Sequence, residues 1–207
     1  MRFKPLLIDP ESDLEVYYDQ VIMASGTTSG QFRFFGPSPT AGDTLNNYVD
    51  NPFPQRYRHY VTGIGFESLL PIIRGSSDID VIKLINALGE AVVVWYIGGG
   101  RDKIMHAPLG LFMDLENLDV RRRFIHTPAG VATEVVDAFF PTVPTPRLPA
   151  PVILEPGVSH ELYIEFGTDF VADLPSAANW ASDGQSNGQD FGLRGTLQYA
   201  MTRPTRN

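Results

Sequence analysis

The sequence predicts an all-β fold, an antiparallel β-sandwich with one short helix over about residues 78–88. Three observations carry that expectation. First, residues 191–202 alternate strictly. Phe191, Leu193, Gly195, Leu197, Tyr199 and Met201 take the odd positions, and Gly192, Arg194, Thr196, Gln198, Ala200 and Thr202 the even ones. A period of two over six pairs marks a strand with one buried face and one wet or partner-facing face. Second, glycine (19) and proline (17) are both frequent beside 13 Phe and 8 Tyr, which favours short aromatic strands joined by turns. Third, only one stretch is clearly helical: Val81, Ile82, Leu84, Ile85 and Leu88 make one apolar face.

The elements follow in chain order. Residues 1–13, with Pro5 and Pro10, read as an extended N-terminal arm, either a ragged terminus or a segment that docks on a neighbour. Glu15–Met23 is strand-like. Gln31–Phe35 alternates Phe32 and Phe34 against Gln31 and Arg33, then breaks at Gly36-Pro-Ser-Pro39. Residues 36–55 form a long polar loop, a length that implies a task or an interface. Tyr57–Leu70 is a long strand whose glycines mark bends or bulges. Ser77 is a good helix N-cap with Asp80 three residues on, and Gly89 is the expected stop.

Glu90–Ile97 is a continuous apolar run, as in a strand buried on both faces. Gly98-Gly-Gly100 turns the chain into a hairpin strand at Lys103–His106. Residues 107–118 are loop or short helix, Val120–Ile125 and Ala132–Phe140 are strand candidates, and Thr127–Gly130 is a turn. Residues 141–156 carry six prolines and read as an extended segment crossing the surface of one domain rather than a linker. Pro156-Gly157 is a turn. Ser159–Phe166 sets His160, Leu162, Ile164 and Phe166 on one face. Residues 167–190 form a second long loop before the closing strand, which Pro204 ends. A closing strand of this length is expected between earlier strands. The whole, 1–207, reads as one domain.

Composition narrows the function. A net charge of −8 argues against a protein whose main task is nucleic-acid binding, and Arg203 and Arg206 are too few for a genome-binding arm. With no cysteine there is no disulfide, no thiolate metal site and no thiol catalysis. The apolar run at the start is too short for a signal peptide, and no stretch approaches the roughly 20 apolar residues of a membrane span.

Catalytic patterns are missing where they would be sought. Gly98-Gly-Gly-Arg101 lacks the Gly-Lys-Ser/Thr and the following helix of a phosphate loop. His59, His106, His126 and His160 fall in no metal-binding spacing, and there is no G-x-S-x-G. Glu161 and Glu165 lie on one strand face and read as a solvated or partner-facing surface. No catalytic residue, cofactor or metal site is predicted. Arg121-Arg-Arg123 is the one basic cluster, and alternation splits it across two faces. It reads as surface solubility or ion pairing, or else as contact with an acidic neighbour or packaged nucleic acid. Trp95 sits in the buried run. Trp180, in the polar loop, is a candidate anchor on another chain.

Two stretches resemble a known family. Val92–Leu109 has a strand, Gly-turn, strand, Pro-Leu pattern, and Pro151–Phe166 with Phe191–Pro204 is similar to a turn, strand, loop, Leu-Arg-x-x-Leu…Arg-Pro ending. Phe34-Phe35, Asp43-Thr-Leu-Asn46 and Gly63-Ile-Gly-Phe66 come in fitting order. The pattern resembles the single jelly-roll coat proteins of small tailless icosahedral bacteriophages, over about two thirds of the chain. The chain departs from it in lacking a Leu-Pro-x-Gly-Gly turn, which leaves residues 110–150 poorly placed.

The resemblance implies a sandwich of viral jelly-roll type and a self-assembling capsid protein, made in a host cytoplasm and located in the virion. The partners would be copies of itself, other capsid proteins such as a vertex protein, and weakly the packaged genome. Candidate inter-subunit contacts are then Arg121, Arg123, Trp180, Arg203 and Arg206. The alternative is a phage receptor-binding or carbohydrate-binding module of the same fold.

Overall fold

The computed structural model describes residues 13–23, 30–36, 58–69, 72–75, 78–100, 102–126, 130, 132–141, 144–167 and 191–202. The strands are β1 (Asp13–Met23), β2 (Gln31–Phe34), β3 (Arg58–Ser68), β4 (Ile72–Gly75), β5 (Val92–Ile97), β6 (Asp102–Pro108), β7 (Asp119–His126), β8 (Ala132–Phe139), β9 (Arg147–Leu154), β10 (His160–Glu165) and β11 (Phe191–Thr202). Among the described residues one helix, α1 (Asp78–Glu90), and one 3₁₀ turn (Leu109–Leu111) interrupt them. The fold is therefore an all-β sandwich with one short helix, as expected.

The strands form three antiparallel sheets. The first has the order β1-β11-β3-β9, the second β2-β10-β5-β6, the third β4-β8-β7. β11 lies in the interior of the first sheet, with Asp13 opposite Met201 on one side and Arg58 opposite Thr202 on the other. Its odd face behaves as the alternation predicts: Leu193, Leu197 and Tyr199 are buried. Its even face is half covered rather than wet. Leu69 caps Gly192, and Thr145 approaches Thr196, their hydroxyl oxygens 3.3 Å apart.

The first and second sheets share one core. Ile64, Phe66, Leu193 and Leu197 from the first meet Phe34, Trp95, Leu162 and Ile164 from the second, all buried. Phe34 and Phe66 stack edge-to-face, centroids 5.2 Å apart. The contact is close because Gly195 lies beneath it. A Cβ on Gly195 would stand 2.8 Å from the Phe34 ring, so a glycine is required there. β5 is buried on both faces as predicted: Val93 and Trp95 point into the core, and Val94 is equally covered on the other side. Gly98, Gly99 and Gly100, which follow β5, all have positive φ. That backbone is open to glycine at little cost and sets the hairpin into β6.

The glycines of β3 do two things. The register of β3 against β9 shifts between Val61 and Gly63, a bulge. Pro149 and Pro151 of β9 fall in the stretch between the paired residues Arg147 and Val152, on an edge strand, where a missing N–H costs no ladder bond. Gly63 and Gly65 also admit the segment before β9. A Cβ on Gly63 would lie 2.8 Å from the Pro146 carbonyl oxygen, which accepts the Ile64 N–H at 3.1 Å. The proline-rich stretch thus becomes an edge strand and its approach, laid against β3.

Two local expectations are refined. The helix runs two residues beyond 88, and Gly89 lies inside its last turn rather than after it. The exit is fixed instead by burial of Leu88 and Ala91 and by the Leu109 N–H donating to the Ala91 carbonyl at 2.8 Å. The proposed cap, Ser77, lies outside the described residues. At the end of β2, Phe35 is a non-glycine residue at φ 54°, fully buried. The Asp19 carboxylate holds it there by accepting the Phe35 N–H at 2.6 Å, across from β1.

Candidate functional site

Among the sequence-predicted contact residues, two stand on β7. Arg121 and Arg123 are two apart and share one face, opposite Asp137 and Val135 of β8. The Arg121 guanidinium is exposed. It bonds the Asp119 carboxylate at 2.6 Å and lies 5.1 Å from the Phe139 ring centroid. Its pKa is raised by that hydrogen bond and by the charge of Asp119. The Arg123 side chain, and Trp180, Arg203 and Arg206 entirely, lie outside the described residues, as do most of the candidate contact segments 1–13, 36–55 and 167–190. Of the segment 141–156, the part 147–154 is β9.

The other face of β7 was not singled out from the sequence. Val120, Arg122 and Phe124 lie along it, all exposed, Phe124 by 63%. Val120 and Phe124 flank the arginines in the sequence, but alternation alone does not separate an exposed apolar pair from a buried one.

A second grouping lies on the outer face of the second sheet. Tyr96 of β5 and Tyr163 of β10 meet edge-to-face, centroids 6.3 Å apart. Arg33 lies over Tyr163 at 5.9 Å, and Lys103 over Tyr96 at 5.4 Å. Glu161 pairs with Arg33 at 3.2 Å and accepts the Tyr163 hydroxyl at 2.9 Å, while Glu165 accepts the Gln31 side-chain N–H at 2.8 Å. Burial, then that bond to Glu161, raises the Tyr163 pKa. This face combines one ion pair, Arg33–Glu161, with two cations set over aromatic rings. Glu161 and Glu165, read from the sequence as a solvated or partner-facing surface, are here engaged with strand neighbours.

Among the described residues two histidines are buried. His160 is fully buried on the second sheet, and its Nδ1 accepts the Trp95 Nε1–H at 3.3 Å. The ring proton therefore sits on Nε2. Burial first, and then the charges of His59 and Arg33, bring the His160 pKa down to about 3. His59 is buried on the first sheet, its ring 5.1 Å from Tyr199 and 6.3 Å from Tyr17. These are core histidines in an aromatic setting. No group of three or more His, Asp or Glu side chains among the described residues is arranged to hold a metal ion. No helix among them is long and apolar enough to cross a membrane.

Comparison of the chain with protein-family models, with curated proteins and with solved structures finds no match in any of the three.

Proposed function

We propose that the chain is a virion structural protein, a coat protein that assembles with copies of itself into an icosahedral shell. The order of the two larger sheets carries the reading. Number only their eight strands along the chain. One sheet then runs first, eighth, third, sixth, and the other second, seventh, fourth, fifth. That order is consistent with the wrapping of a jelly roll, a fold common in capsid proteins. The pair β4–α1 and the hairpin β7–β8 are then elaborations in two of its connections. The resemblance of Val92–Leu109 and of Phe191–Pro204 to phage coat proteins supports the same reading. Assembly would work by burying loop, arm and edge surface between copies, with other capsid proteins at special positions. It requires no catalytic group. The acidic charge suits a shell whose genome is neutralised by cations or by other proteins.

One observation favours a second reading, a receptor- or carbohydrate-binding module. The Tyr96–Tyr163 pair with Arg33, Lys103 and Glu161 combines aromatic rings with directed polar groups, the composition of a sugar-binding surface. Size-exclusion chromatography and electron microscopy of the purified protein separate the two. Shells or large closed oligomers support the coat-protein reading. A monodisperse trimer that binds glycans or cells would sink it in favour of the second.

A further inference from the structure

We draw no further inference here: the strongest candidate, the exposed apolar face of β7 at Val120 and Phe124, carries nothing because nothing in the structure shows what covers it.

Discussion

His160 shows what one side chain contributes to this core. Its folded pKa, about 3, lies below the ordinary 6.5. The fold accepts the neutral ring, and the unfolded chain takes up the proton first. Stability from this group is complete above about pH 6.5 and declines as pH falls toward 3, by up to about 1.4 kcal/mol per unit. We expect the urea midpoint to fall between pH 7 and 4.5. His160→Gln, whose amide oxygen can still accept the Trp95 N–H, should flatten that fall. An unchanged slope would show that the acid sensitivity arises elsewhere. The burial of His160 was legible in its alternation with Leu162, Ile164 and Phe166. Its contact with Trp95 and its nearness to His59 were not, because they depend on how strands distant in sequence are placed.

At the scale of elements, the strands with clean periodicity were the legible ones. β10 and β11 alternate, β5 is a solid apolar run, and its glycine turn fixes the hairpin into β6. Beyond that hairpin, the partner of each strand was not legible, since pairing joins segments such as β1 and β11 across most of the chain. The prolines of 141–156 pointed to an extended path, but that it serves as a sheet edge depends on the bulge at Gly63. The arginine face of β7 could be read from spacing. The exposure of Val120 and Phe124 could not: alternation says which face a residue is on, not whether a core lies under it. Gly63 offers a test of this scale. Gly63→Val places atoms where the Pro146 carbonyl lies, 2.8 Å from a Cβ, and must push the 144–146 segment off β3. We expect a loss of about 1–3 kcal/mol, read from thermal unfolding. Proteolysis should then begin near residue 146. A variant as stable as wild type would mean that the segment is only loosely laid there.

For the molecule as a whole, the decisive pairing is β11 between β1 and β3. A chain ending after Gln189 removes the strand that joins the two, along with buried Leu193, Leu197 and Tyr199. We expect it to stay unfolded by far-ultraviolet circular dichroism. A chain ending after Thr202, without Arg203 and Arg206, should fold. If the shorter chain folded as well, β1 and β3 would have to close without their shared neighbour.

The same placement governs how a cell makes this protein. On the ribosome β1 and β3 emerge well over a hundred residues before the strand they both await. At roughly 5–20 residues per second, they wait for several seconds or more with open edges. Neighbouring ribosomes on one messenger would hold unfinished chains with matching gaps, each able to accept the other's β11 once it emerges. Synthesis at high local concentration therefore favours strand exchange between nascent copies, and a chaperone that shields β1 and β3 until β11 emerges would suppress it.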